Sequence, residues 1–269
     1  MTLLAGDLAR VRQLFDEQVR QGTASDGTGS VVTSTPHAVR WSANGDNGWS
    51  EVAWSNLDDT SADAEIARHV EYFSDRGQSF AWRVYDADLP NDLGPRLERA
   101  GFTLEYTSEL MVAEAADIPQ DVTLPAGVEL SFDNDERGID RLIEVHEKVF
   151  GSDHSSLRRS LRTQLVTAPH VRELVVAISN GEPISSSRIE FLPDRQFASL
   201  WGGSTLPEWR GKGLFRAMVA YRADIAAQRG YPYLYVTASS ESRPILERIS
   251  FSPLGSVFTY MWQPSSISS

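Results

Sequence analysis

A motif that occurs twice is the feature of this sequence that most restricts its fold. The string PRLERAGF occupies Pro95–Phe102 and PILERISF occupies Pro244–Phe251. A second pair precedes it in the same order, DRGQSFAW at Asp75–Trp82 and QRGYPYLY at Gln228–Tyr235. Chance similarity between helical segments is the alternative. Two blocks in one order, each followed by a strand-like run, favour duplication, so we expect two related α/β units in tandem.

Helix-like and strand-like patterns alternate in both units. In the first unit, apolar spacing predicts an N-terminal helix with Leu3, Leu4, Leu8, Val11, Leu14, Phe15 and Val19 on one side. Strands are expected near 31–41, 49–54, 80–85 and 102–112, with helices at 61–76 and 90–100. In the second unit we expect strands at 128–132, 196–204, 233–238 and up to 262, a hairpin around Asn180-Gly181, and helices at 136–150, 155–166, 214–229 and 242–249.

The segment Ala115–Gly127 is rich in Ala, Pro and Gly and shows no periodicity, which is typical of a linker. The sequence therefore predicts one domain at 1–114, a linker at 115–127 and a second domain at 128–269. Each is expected to be an α/β (α+β) unit whose mixed, mostly antiparallel sheet is flanked by helices.

Composition excludes several classes of function. The chain of 269 residues has no cysteine, so disulfides and thiolate metal sites are absent, and its histidines lack metal-ligand spacing. A net charge of −12 argues against a nucleic-acid partner, since such proteins neutralise phosphates with Lys and Arg. No apolar run is long enough for a membrane span, and the N-terminus does not resemble a secretion signal. A cytoplasmic protein is predicted, and a homodimer is left open.

The stretch STLPEWRGKGLFRAM at Ser204–Met218 places a glycine-containing turn between a strand and a helix. The first amides of a helix lack intrahelical acceptors, and the helix dipole adds partial positive charge there. Gly211 and Gly213 would let an anion approach the backbone closely. Arg210 and Lys212, one of the chain's two lysines, put cations beside this turn in an acidic protein. A plain turn is the alternative, since two glycines alone are a weak signal.

LPEWRGKGL resembles the acetyl-CoA loop of the GNAT superfamily of N-acetyltransferases, Val-x-Pro-Glu-x-Arg-Gly-x-Gly-Ile-Gly, and the surrounding elements from about Val128 to Trp262 agree with that family. The resemblance implies acetyl-CoA as co-substrate. It implies that pantetheine lies in a V between two splayed strands, held by backbone groups of Thr205 and Leu206. The pyrophosphate would contact the loop at Arg210, Gly211, Lys212, Gly213, Leu214 and Phe215.

Four departures from the family pattern affect the cofactor loop and the chemistry. Glu208 replaces a Gln or Arg, and Phe215 replaces the third loop glycine. Leu246 stands where family members often carry the Tyr that protonates the leaving thiolate. With the family's Asn also missing, Ser239, Ser240 and Ser242 are the nearest hydroxyls, and Ser242 is expected to contact the cofactor.

The first unit has no equivalent loop. Between Trp54 and Ser61 the chain reads SNLDDT, with no glycine and with two carboxylates, Asp58 and Asp59, that would repel a pyrophosphate and suit helix capping. This unit therefore resembles the cofactor-free half of tandem GNAT proteins, which supports the fold or forms a wall of the acceptor cleft.

Acetyl transfer to an amine needs a proton acceptor and a polarised carbonyl. Glu190 is a candidate base because some family members use a Glu on a central strand, although a solvated strand residue is the alternative. Tyr235 is a candidate proton donor, although core packing is the alternative. We predict an N-acetyltransferase that acts on a small cationic amine by direct attack, with carboxylates around the cleft. A catalytically weak acyl-CoA-binding module is the second hypothesis.

Overall fold

The computed structural model describes residues 5–44 and 48–264. The first half begins with helix α1 (Ala5–Phe15), which continues as a π-helix over Asp16–Gln21. Leu3 and Leu4 of the predicted helix lie outside the described residues. The remaining elements are β1 (Val31–Ser34), β2 (Ala38–Ser42), β3 (Glu51–Ser55), α2 (Ala62–Ser74), β4 (Phe80–Tyr85), α3 (Leu93–Arg99) and β5 (Thr103–Glu114).

The second half follows the predicted order closely. Its elements are β6 (Val128–Ser131), α4 (Glu136–Phe150), α5 (Ser155–Thr167), β7 (Arg172–Ser179), β8 (Glu182–Phe191), β9 (Phe197–Thr205), α6 (Leu214–Gln228), β10 (Tyr233–Ala238), α7 (Arg243–Glu247) and β11 (Ser252–Trp262). The predicted hairpin turn is present, with positive φ at Asn180 and Gly181. The run expected near 31–41 proves to be two strands, β1 and β2, which pair with each other.

All strands belong to one sheet, in the order β1-β2-β3-β4-β11-β5-β10-β9-β8-β7-β6. The two halves exchange their last strands: β11, from the second half, lies between β4 and β5, and β5 pairs with β10. Each half also repeats one motif, in which a strand, a helix and a second strand end in a short parallel pairing, β3 with β4 and β9 with β10. The fold is therefore a duplicated, mostly antiparallel α/β architecture, as expected. The predicted domain limits at 114 and 128 fall within a continuous sheet and stay a prediction.

The sheet buries apolar side chains on both faces. Met111 and Ala113 of β5 pack in the cluster that includes α6 residues, whereas the alternate residues Leu110 and Val112 pack with Phe15 of α1. The face that carries α1 also carries α4 and α5, whose side chains pack on Leu174 of β7. This alternation is the period of two expected of a strand buried on both sides. Phe15 of α1 and several residues of α5 line one space on this face.

Candidate active site

The loop between β9 and α6 presents a row of free backbone amides. The amide of Arg210 is used, since it donates to the Pro207 carbonyl at 3.2 Å, and the first helical bond of α6 runs from Ala217 to Gly213. Across the described residues, the amides from Gly211 to Arg216 have no protein acceptor. Unpaired amides at a helix start are stabilised by a bound anion. The prediction of a cradle therefore fits this segment, apart from the Arg210 amide.

The conformation and charges of the loop are consistent with the binding of an anion. Gly213 has φ +84° at the N-cap of α6, and a Cβ there would meet no atom within 4 Å, so the backbone shape alone requires glycine. The Arg210 side chain donates to the Thr205 carbonyl at 3.1 Å, and Lys212 lies 4.6 Å from the centre of the Trp209 ring. Arg216 is exposed. An anion would meet three cations here.

Strands β9 and β10 separate after a short parallel pairing, which forms the V that the family resemblance implies. Their pairing extends from Phe197–Tyr233 to Ser199–Tyr235 and then ends, while β9 continues to Thr205. A bulge against β8 at Gly202, which has φ +61°, bends β9 away from β10. His146 of α4 contacts the Gly202 carbonyl through Nε2 at 3.1 Å, and burial lowers the pKa of His146 to about 4, so the ring is neutral and donates.

A cavity of about 940 Å³ lies on the α1 and α5 face, directly beside this V. Its floor includes Ser199 and Trp201 of β9, and Tyr235 and Thr237 of β10. Its volume is within the range of small-molecule sites. Because Trp201 and Thr237 stand on the two separating strands, a group threaded through the V would reach the cavity. The first half forms the opposite wall, with Trp41, Glu51, Arg83, Tyr85 and Tyr106 among its contributors.

Glu190 and Tyr235 flank Ser199 in one row across three strands at the apex of the V. Glu190 pairs with Ser199, and Ser199 pairs with Tyr235, so the three side chains share the cavity face. Burial raises the pKa of Tyr235 to about 12, which keeps its hydroxyl protonated at neutral pH. Glu190 is tethered, since Arg188 donates to its Oε1 at 2.9 Å. The structure thus brings together the two residues predicted for catalysis.

The cavity differs from the predicted carboxylate-rich cleft. Its charged lining consists of Arg20, Arg83, Arg159, Arg188, Arg195, Asp26, Glu51 and Glu190. Arginines therefore outnumber carboxylates in this lining, and the expectation that acidic groups surround the cleft is wrong. That expectation was inferred from the net charge of −12, and a net charge does not show where in the molecule the charged residues lie.

The other residues considered for cofactor binding or catalysis differ in whether their polar groups are free to contact a ligand. The amide of Leu206 donates to the Ile184 carbonyl at 3.0 Å, so it is directed away from the V. Phe215 lies against Gly203 of β9, where an added Cβ would stand 3.3 Å from its ring. The Ser242 hydroxyl is engaged with Ser239, whose amide donates to it at 3.0 Å. Leu246 is buried in the core with residues of α6 and is not among the residues that line this cavity.

Sequence reasoning missed Arg188, Arg195 and Trp201 as members of the site. Trp201 donates through Nε1 to the Ser199 hydroxyl at 2.8 Å and lies 5.5 Å from the Arg188 guanidinium. The period of two along the strands was a usable signal, because it places residues 188, 190, 199 and 201 on one face if the register of the hairpin is known. Within the described ranges, three or more His, Asp or Glu side chains nowhere gather as a metal site, and no helix there has the length and apolarity of a membrane span.

Comparison with known proteins agrees with this geometry. Residues 139–248 match a family model described as the acetyltransferase (GNAT) family. No curated protein matches the sequence. The matched residues include the V, the loop and α6.

Several solved structures share the whole fold. A GCN5-related N-acetyltransferase from Kribbella flavida has a TM-score of 0.71 at 15% identity, with 98% of each chain covered. One from Sphaerobacter thermophilus has a TM-score of 0.64 at 15% identity, covering 97% of this chain and 94% of that one. A tandem GNAT protein from the clavulanic acid biosynthesis pathway has a TM-score of 0.62 at 11% identity, covering 98% and 97%. At such identities, the likeness establishes the fold.

Proposed function

We propose, from the match of residues 139–248 to the acetyltransferase (GNAT) family, that this protein transfers an acetyl group from acetyl-CoA to the amine of a small molecule. The observation that carries the proposal is the cavity beside the V, with Glu190 and Tyr235 at the apex and free amides at the loop. The fold alone would not support it, since one fold serves many functions.

The residues proposed to bind acetyl-CoA are chosen from the free amides of the loop and from the part of β9 that no longer pairs with β10. The amides from Gly211 to Arg216 would hold the pyrophosphate, with Arg210, Lys212 and Arg216 around it. Thr205 lies where β9 has left β10, and its backbone would contact the pantetheine chain. Acetyl-CoA supplies the thioester, so that a C–N bond to the amine forms as the C–S bond breaks. A cavity of this size suits a small acceptor.

The proton transfers are assigned from the state of each group. Glu190 would take the proton that the amine loses, directly or through water, and Arg188 holds its carboxylate in place. Tyr235 is protonated at neutral pH and would donate to the departing sulfur. The arginines of the lining favour a neutral amine over an ammonium ion, because like charges disfavour the protonated form. A neutral amine is the form that attacks.

The test is release of the CoA thiol. Because the chain has no cysteine, a thiol reagent reports only the product. Glu190→Gln and Tyr235→Phe are expected to lower kcat about a hundredfold or more with little change in acetyl-CoA affinity. Glu182→Gln, exposed on the same strand, and Tyr260→Phe, in the core of the first half, are the matched controls. Absence of acetyl-CoA binding by calorimetry would refute the proposal.

A second function, acyl-CoA binding without transfer, is favoured by the burial of Leu246 at the position where the family often has its tyrosine. It predicts saturable acetyl-CoA binding without thiol release across a panel of amines. Turnover of any amine above the uncatalysed rate would exclude it.

A further inference from the structure

The arginines of the cavity fall into two groups. Arg20, Arg83 and Arg188 each have a carboxylate partner, since they contact Asp88 at 2.7 Å, Glu51 at 2.9 Å and Glu190 at 2.9 Å. These three charges are therefore balanced within the protein. They hold the walls and are not available to a ligand without breaking an ion pair.

Arg159 and Arg195 lack such a partner. Among the described residues, neither guanidinium has a carboxylate oxygen within salt-bridge distance. Arg195 lies in the loop between β8 and β9, its guanidinium donates to the Gly22 carbonyl, and burial lowers its pKa. Arg159 lies on α5 and lines the same cavity. Half-buried Arg195 and exposed Arg159, whose charge acts on Asp153, thus line one cavity.

Arg195 lies close to the row formed by Glu190, Ser199 and Tyr235. Glu190 and Arg195 both act on the pKa of Tyr235, the first raising it and the second lowering it, which places both beside that side chain. Asp26, the remaining carboxylate of the lining, is occupied by Gln164, Thr28 and Ser30 and is not paired with an arginine. An amine held at Glu190 would therefore share the cavity with the guanidinium groups of Arg195 and Arg159.

We propose that the acceptor carries an anionic group, a carboxylate or a phosphate, in addition to its amine, and that Arg195 and Arg159 bind this group. The inference rests on the proposed function for the identity of the amine end. Charge-assisted bonds from guanidinium to an anion are stronger than neutral hydrogen bonds, and the fork of donors matches a carboxylate or phosphate edge. A purely cationic acceptor would instead meet net repulsion.

The experiment compares ligands that differ only in the anion. Tyrosine and tyramine test a carboxylate, and O-phosphoethanolamine and ethanolamine test a phosphate. Binding of each to the protein saturated with CoA is measured by calorimetry, and thiol release is measured separately with acetyl-CoA. We expect at least one acidic probe to bind tenfold or more tightly than its partner amine. Arg195→Ala and Arg159→Ala are expected to remove that preference, while Arg162→Ala, an ion-paired arginine on the outside of α5, leaves it intact.

The outcomes distinguish the anionic subsite from the proposed acetyl transfer. Equal binding of acid and amine in both pairs, or no binding by either acidic probe, overturns the anionic subsite even if amines are acetylated. A preference for the acid that depends on Arg195 and Arg159, with no thiol release from these probes or from a wider panel of amines, supports the subsite and favours acyl-CoA binding without transfer. Loss of the preference in Arg162→Ala as well would assign it to general charge and overturn the inference.

Discussion

The loops that lead into α2 in the first half and α6 in the second differ in what accepts hydrogen bonds from their backbone amides. In the first half, one oxygen of Asp58 accepts from the amides of Thr60 and Ser61 at 2.9 and 2.8 Å, and from both of their hydroxyls. The start of α2 thus carries a carboxylate of its own chain. In the second half, the corresponding amides before and within the first turn of α6 have no acceptor among the described residues.

The difference shows how a duplicated site can lose its ligand while the helix remains. A helix start needs an acceptor for its amides, and either a side chain or a bound anion satisfies that need. Around Asp58 the neighbouring charges are also inverted: Asp59 and Asp63 contact Arg96 of α3, whereas Arg210, Lys212 and Arg216 surround the second loop. An internal carboxylate makes the first loop independent of a cofactor.

The largest expected effect comes from giving the second loop the charge of the first. Lys212→Asp combined with Arg216→Asp should weaken acetyl-CoA binding about a hundredfold, because each change replaces an attraction to phosphate by a repulsion. The melting temperature should not fall, since an Asp in the first turn of α6 interacts favourably with the helix dipole. Calorimetry and thermal unfolding measure the two quantities. Arg10→Asp combined with Arg99→Asp is the charge-matched control, and an equal loss of affinity there would contradict the assignment.

Each half has one buried histidine among the described residues, and both histidines should make the protein less stable in acid. Burial lowers the pKa of His69 and of His146 to about 4. Between pH 6.5 and pH 4 the unfolded chain therefore binds more protons than the folded one, so stability falls as pH falls, by about 2 kcal/mol per histidine from pH 7 to pH 5.

The two histidines can be separated by mutation. Neither ring nitrogen of His69 has a hydrogen-bond partner, and the nearest carboxylate oxygen, on Glu65, is 4.0 Å away. His69→Leu should remove one share of the acid sensitivity in urea titrations and leave kcat unchanged. His146→Leu should remove a similar share but also lower kcat, because it frees the Gly202 carbonyl at the bulge. Unchanged kcat in His146→Leu would show that the bulge does not depend on this contact.

A smaller effect is expected when a glycine of positive φ is replaced by alanine in either half. Gly213 and Gly77 both have positive φ, and a Cβ at either would meet no atom within 4 Å. Alanine at each should cost about 1 kcal/mol of stability from the backbone alone. Only Gly213→Ala should also weaken acetyl-CoA binding, since it crowds and reshapes the free amides. Equal affinity of the two variants would mean that the loop does not hold the pyrophosphate.

The smallest change tests the internal carboxylate. Hydrogen bonds from Thr60 and Ser61 hold the pKa of Asp58 well below its ordinary value. Its stabilising contribution is therefore present above about pH 4 and is lost as the pH falls below that. Asp58→Asn should lower the melting temperature slightly at pH 7 and by a smaller amount near pH 2. Acetyl-CoA affinity should not change, and an increase in the number of bound molecules would contradict the account of the first half.

Local structure was predictable where one pattern dominates. The spacing of apolar residues gave α4 its observed limits, Glu136–Phe150, and the alternation and flanks of β4 gave Phe80–Tyr85. The duplication predicted the tandem fold. It could not predict the exchange of β5 and β11, because the same repeat precedes both strands and either could pair with β4.

The candidate site was predictable only in part. The loop at Gly211–Gly213 was recognisable because its residues are contiguous, whereas the cavity is assembled from both halves. Arg195 and Arg159 belong to segments far apart in the sequence, and no local pattern indicates that they face one space. Whether an arginine is ion-paired or free depends on such distant neighbours, which explains why the charge of the cleft was predicted wrongly.

The exchanged strands bear on how the chain is made. During synthesis, β4 and β5 leave the ribosome well before Ser252–Trp262, the strand that finally lies between them. A nascent first half can therefore neither complete its sheet nor shield its hydrophobic edges until the second half has been synthesised through β11. Any early pairing of β4 with β5 must open again to admit β11, so late folding and a need for chaperone protection follow from the topology itself.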